Sequence, residues 1–144
     1  MTDSTRRTIF IVIVALAAAA IIVPRLGRSN AVLAPAESDF KTATARARTE
    51  KKFIYAEFYA HWCEACKEFE HAVLADPEVN AAMEKLVFLR VDVDKNADLA
   101  KEFDILAIPA GFLLKMDGGK YSIVARHEGI MEKADFLRFL IPAR

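Results

Sequence analysis

Cysteine is scarce in this 144-residue chain, which carries only Cys63 and Cys66. Two cysteines exclude the disulfide framework that holds small secreted domains together. A chain of this length buries a core without one. An excess of either charge is also missing, since 20 Lys and Arg stand against 20 Asp and Glu. A phosphate backbone needs a basic surface to meet it, so nucleic acid is excluded as a partner. There is no internal repeat and no low-complexity tract. Long apolar runs are absent with one exception near the N-terminus.

That exception is "IFIVIVALAAAAIIV", residues 9–23, 15 apolar residues without a break. Arg6 and Arg7 precede it, and Pro24, Arg25 and Arg28 follow. A spanning helix needs roughly 20 apolar residues, with about 17 as the lower edge, and a secretory signal has a shorter run. The run fits both, and the chain divides into a tail (1–7), a signal-anchor or transmembrane helix (8–24), a linker rich in Pro, Gly, Ser and Ala (25–36) and one domain (37–144). The alternatives are a cleaved signal, with "AAA" (18–20) or "APA" (34–36) at the cut, and a buried core helix. Two Arg on each side leave the orientation undecided by charge. The first 36 residues hold four Arg and one Asp; the rest has 16 basic and 19 acidic residues, a mildly acidic domain of net −3.

Within the domain the spacing predicts a helix over 38–52 capped by Ser38 or Asp39, a buried strand over 53–59 and a helix over 63–74. A helix opened by Asp-Pro follows over 76–85, then a strand over 86–94 and a helix over 96–103. Two strands, 111–116 and 121–127, are joined by "DGG", which is hairpin chemistry. An amphipathic helix over 132–140 closes the chain. Strands separated by helices pair in parallel and the hairpin adds antiparallel strands. The fold class is therefore α/β, a mixed sheet flanked by helices and preceded by an N-terminal hydrophobic helix. Phe53, Phe58, Phe69, Phe136, Leu137 and Leu140 belong to its core.

"AHWCEACKEFE" (60–70) places both cysteines where a strand gives way to a helix. There Cys63 faces unpaired backbone N–H groups and the positive end of the helix dipole, which favour the thiolate. Cys66 lies one turn on, on the same face, where it can resolve a mixed disulfide. Cys-x-x-C in an α/β setting reads as a redox pair. Haem attachment wants a His where Lys67 stands. A zinc site would need His61 with both cysteines and a remote His71 or His127. A purely structural bridge would close a loop too short to constrain the unfolded chain much.

"EFYAHWCEACKEFE", "DPEVNAAM", "VDVDKN", "FDILAIPAGFLL" and "HEGIMEKADFLRFL" together resemble the thioredoxin family. Within it they are most similar to the C-terminal thioredoxin-like domain of the bacterial thiol:disulfide interchange reductases, the DsbD type. The likeness runs from about Lys51 to Leu140. It implies a thioredoxin fold, with Cys63 as nucleophile and Cys66 as resolving thiol. Pro109, after Ile108, takes the place of the family's cis-proline, and Trp62 that of the aromatic before the nucleophile. Glu57 matches the buried acid behind the resolving cysteine, Glu68 an acid near the site and Gly129 a glycine ahead of the last helix. His61 departs from the usual acid, and Ala110 stands where Thr is usual.

A buried Glu57 would have a raised pKa and take the Cys66 proton. Glu57, Glu64 and Glu68 disfavour the thiolate whereas a protonated His61 favours it, a balance that sets a reducing poise. The expectation is a monomeric thiol–disulfide oxidoreductase on the periplasmic face of a bacterial inner membrane, or free in the periplasm after signal cleavage. It reduces protein disulfides, draws electrons from an upstream membrane thiol reductant and needs no cofactor. The alternatives are an oxidant or isomerase of the same fold, and a metal-binding or delivery module built on His61, Cys63 and Cys66.

Overall fold

A computed structural model describes residues 33–143. The apolar run and the candidate cut at 18–20 lie outside the described residues, whereas the one at 34–36 lies within them. Among the described residues no helix is long and apolar enough to cross a membrane.

Helix α1 (Phe40–Glu50) starts at Asp39, whose carboxylate accepts from the Thr42 N–H at 2.6 Å. It stops two residues short of the predicted end. Lys51 adopts the left-handed conformation (φ 54°), and Lys52 N–H returns to Ala47 O at 3.0 Å. This is a Schellman closure without the glycine that normally announces one. Ala43, Thr44 and Ala47 form its buried stripe.

Strand β1 (Ile54–Tyr59) is central. It pairs in parallel with β2 (Val87–Asp92) and antiparallel with β3 (Ala110–Asp117), which pairs with β4 (Lys120–Glu128). The order is β2-β1-β3-β4. Between β1 and β2 lie α2 (Glu64–Phe69) and α3 (Pro77–Met83), with α4 (Ala97–Glu102) after β2 and α5 (Lys133–Phe139) after β4. Asp76 caps α3, accepting from Glu78 N at 2.9 Å, and Pro77 fills the first turn. The hairpin turns on Gly118 (φ 52°) and Gly119 (φ 96°), both positive as a tight primed turn requires.

Strand alternation sends successive side chains to opposite faces. Ile54, Ala56, Phe58, Val87, Leu89 and Val91 build one core with Phe103 and Phe112. Tyr55 and Phe88 build the other with Phe69, Phe136 and Leu140. Phe53 and Leu137 are partly buried at its margin, and Leu33 and Ala34, read as linker from the sequence, pack there too. By the same alternation Glu57 shares the Tyr55 face and Arg90 the Phe88 face. The register sets Glu57 beside Arg90. Two acid-base partners thus meet inside the sheet.

The predicted helix over 63–74 changes character at Glu70. The α2 hydrogen bonding widens to a π-turn over Glu70–Leu74, with Ala75 N–H reaching Glu70 O at 2.8 Å. The extra residue lets Phe69, Val73 and Leu74 all stay buried while Glu70 turns to Arg90.

Candidate active site

Cys63 is the N-cap of α2. Its Sγ accepts from Cys66 N–H at 3.1 Å, so the backbone donor expected from the sequence is in place. The two cysteines form a disulfide and both are buried, flanked by Ala60, Tyr59, Val93 and Ile108. Cys63 Sγ lies 3.8 Å from the Ile108 carbonyl oxygen. The Ile108–Pro109 peptide is cis, and Pro109 O accepts from Gly129 N–H at 2.7 Å, with Gly129 at φ 78°. The Ile108–Pro109 segment therefore meets the Cys63 sulfur, and Gly129 is joined to it through the Pro109 carbonyl.

Trp62 is two-thirds exposed and is held by its indole N–H on Asp94 Oδ2 at 2.9 Å. With Leu106, Ile105 and Ile108 it walls an open apolar groove of about 200 Å³. His61 is exposed, edge-on to Tyr59, with Nε2 3.4 Å from the buried Asp92. Among the described residues no group of three or more His, Cys, Asp or Glu is arranged to hold a metal ion.

Glu57 is fully buried. Burial pushes its pKa up to about 7, against the pull of Arg90, whose Nε donates to Oε2 at 2.8 Å. Its Oε1 is buried without a hydrogen-bond partner among the described residues. Arg90 also bonds Glu70 at 2.8 Å and lies over the Tyr59 ring, 4.2 Å from its centroid. Arg90 and Glu70, with Tyr59, Ala60, His61 and Lys67, line a cleft of about 240 Å³ that reaches Cys66. The site thus joins a redox-capable cysteine pair to a cleft walled by Arg90, and Arg90 in turn holds the buried Glu57 carboxyl.

Glu64 is exposed and pairs with Lys67 at 2.9 Å, and Glu68 is exposed on the same helix. The second acid on Arg90, beside Glu57, is Glu70, which the sequence analysis did not single out. Arg90 was missed as well. The alternation at the end of β2 was legible, but its partner across the strand depends on a register that the sequence does not display.

Arg90→Gln is expected to move the Glu57 ionisation above about 7, because Arg90 is the group that lowers it. A carboxyl NMR titration reads this directly; an unchanged midpoint would mean that Arg90 does not hold the charge.

A second titratable group with a shifted pKa, the partly buried His127, lies on β4. Its Nε2 lies 3.1 Å from the Tyr55 hydroxyl and its Nδ1 3.3 Å from Gly129 O. Burial pushes its pKa down to about 4, with the Gly129 carbonyl opposing. Gly111 makes room for it. A methyl there would lie 2.6 Å from the Tyr55 hydroxyl and closer still to His127 Nε2.

The thioredoxin family model matches residues 31–141. The chain is 34% identical over 98 residues to the thiol:disulfide interchange protein DsbD of Yersinia pestis, covering 65% of this chain and 16% of that protein. It is 36% identical over 100 residues to DsbD of Vibrio vulnificus, covering 67% and 17%. It thus spans about a sixth of the length of these relatives. Among solved structures, a thioredoxin from Thermus thermophilus superposes with TM-score 0.68 at 26% identity, over 73% of this chain and 83% of that one. The oxidised C-terminal domain of Neisseria meningitidis DsbD superposes with TM-score 0.61 at 26% identity, over 76% and 100%.

Proposed function

Because the chain belongs to the thioredoxin family of thiol–disulfide oxidoreductases, we propose that it reduces disulfides of exported proteins while tethered to the periplasmic face of a bacterial inner membrane. The observation that carries the reduction is the Cys63–Cys66 pair at the N-cap of α2, backed by the buried Glu57. The apolar run 9–23 between its arginine pairs supports the tether, and likeness to DsbD supports the compartment.

In the reduced enzyme the Cys63 thiolate, held by Cys66 N–H, attacks one sulfur of the target disulfide. That bond breaks, a mixed disulfide forms and the first target thiolate leaves. The Cys66 thiol gives up its proton, for which the buried Glu57 carboxylate is the proposed acceptor. The Cys66 thiolate then attacks Cys63 Sγ and expels the second target thiolate. Two electrons have passed to the target, and Cys63–Cys66 is left as the disulfide. A membrane thiol reductant returns both electrons. Trp62, Leu106 and Ile108 give the target an apolar rim to rest on, with the Ile108 carbonyl beside Cys63.

The test is the equilibrium reduction potential of the full chain against glutathione. A value of roughly −220 mV or lower fits a reductant; one near about −120 mV makes the protein an oxidant and reverses the proposed direction.

A further inference from the structure

We propose that the end of the domain opposite the disulfide docks onto the anionic headgroups of a phospholipid bilayer and so holds the active site facing away from the membrane. The proposal rests on the tether put forward above and adds an orientation to it.

The first support is where charge collects. The starts of β1 and β2 and the β3–β4 turn lie at one end of the sheet, while Cys63 follows the other end of β1. At the first end stand Arg48, Lys51, Lys52, Lys85, Lys115 and Lys120, against Glu50, Glu84 and Asp117. This basic end belongs to a domain whose 16 basic and 19 acidic residues make it acidic as a whole. Arg48, Lys51, Lys52 and Lys115 line one cleft of about 340 Å³ whose wall carries no acid. Lys52 pairs with Glu50 at 3.0 Å. Lys51, Lys115 and Lys120 are exposed and make no ion pair with any described residue. Arg48 and Lys51 partly answer the negative end of the α1 dipole. Lys85 likewise follows the C-terminus of α3, but Lys115 and Lys120 sit on strands, where that explanation does not apply.

The second support is where the chain enters. Glu37 bridges Leu89 in parallel, with Glu37 N–H on Phe88 O at 2.8 Å and Arg90 N–H on Glu37 O at 2.9 Å. The residues before Glu37 therefore run back along the start of β2, and Leu33 and Ala34 pack against the cluster that holds Leu86 and Phe88. The chain reaches the domain at its basic end. Only residues 25–32 separate that end from the apolar run and Pro24, and eight residues span at most roughly 28 Å. Arg25 and Arg28 lie on that stretch. Attraction to an anionic leaflet fades within a Debye length of about 8 Å, so a tether this short is what brings a modest basic surface into range.

The experiment uses the full chain with vesicles of phosphatidylcholine alone or mixed with phosphatidylglycerol, read by flotation and by hydrogen exchange at residues 48–53 and 115–120. Exchange there is expected to slow about five-fold on the anionic vesicles relative to the neutral ones and to recover in about 0.5 M salt. The combined variant Lys51→Gln, Lys52→Gln, Lys115→Gln and Lys120→Gln should lose that difference and keep its disulfide-exchange activity, which shows that it folds. Flotation with both vesicles and equal exchange on both overturns the docking surface and leaves the tether. Flotation with anionic vesicles alone, reversed by salt, keeps the docking surface and overturns the tether. Flotation with neither overturns both.

Discussion

Replacing Cys66 with Ala is expected to stop turnover and leave Cys63 joined to its target as a stable mixed disulfide. Cys63 keeps its place at the α2 N-cap, where the N–H of residue 66 still points at its sulfur, so attack on a target disulfide proceeds. What is lost is the second thiol, one turn away, that breaks the adduct. Cys63→Ser should fail at the earlier step, with no adduct and no exchange, because a hydroxyl at that cap is not a nucleophile near neutral pH without a base. Non-reducing gels of each variant incubated with a protein disulfide separate the two outcomes. If adducts accumulate on Cys63→Ser rather than on Cys66→Ala, the nucleophile and resolving thiol are assigned the wrong way round.

Glu57→Gln is expected to slow resolution by about 10²-fold or more, the ordinary contribution of a positioned base. It should also erase a pH dependence with its midpoint near 7. Gln fills the same space and keeps a hydrogen bond to Arg90 but accepts no proton. Linkage gives an independent readout. The folded-state pKa of Glu57 is raised from 4.5 to about 7. Between those values the native state holds a proton that the unfolded chain has released, so this group removes stability as pH rises. At 1.36 kcal/mol per pH unit, the loss approaches roughly 3 kcal/mol by pH 8.

His127 acts in the opposite sense. Its folded-state pKa falls from 6.5 to about 4, so the unfolded chain takes up the proton first and stability falls as pH drops through that window. In the wild-type protein the two groups oppose each other between about pH 4.5 and 6.5, and their combined slope there is near zero. In Glu57→Gln the His127 slope stands alone, and denaturant melts across pH 4–8 should show stability rising from pH 4 to 6.5 and then levelling. A Glu57→Gln protein with the wild-type pH profile of stability would mean that Glu57 is ionised throughout.

Much of the fold was legible because its signals are local. Asp76-Pro77 announced a helix start, Gly118-Gly119 a tight turn and the 3.6-residue pattern around Phe136 a surface helix. Where the expectations slipped, the cause was not local. The end of α1 is set by Lys51 in a conformation normally left to glycine, and the π-turn after Phe69 follows from which side chains the sheet can accept.

The site divides along the same line. Sequence alone determined that Cys63 and Cys66 are one turn apart at a strand-to-helix junction, since spacing and periodicity place neighbours within a turn. Through family resemblance it also pointed to Glu57, Trp62, Ile108 and Pro109. Tertiary structure decided which acids matter in space. It paired Glu57 with Arg90, 33 residues away, by a one-residue choice of parallel register. It turned Glu70, rather than Glu68, toward that pair, and it packed the partly buried His127 against Tyr55, 72 residues away. Burial and register are properties of packed strands, and they set the two shifted pKa values that a sequence does not carry.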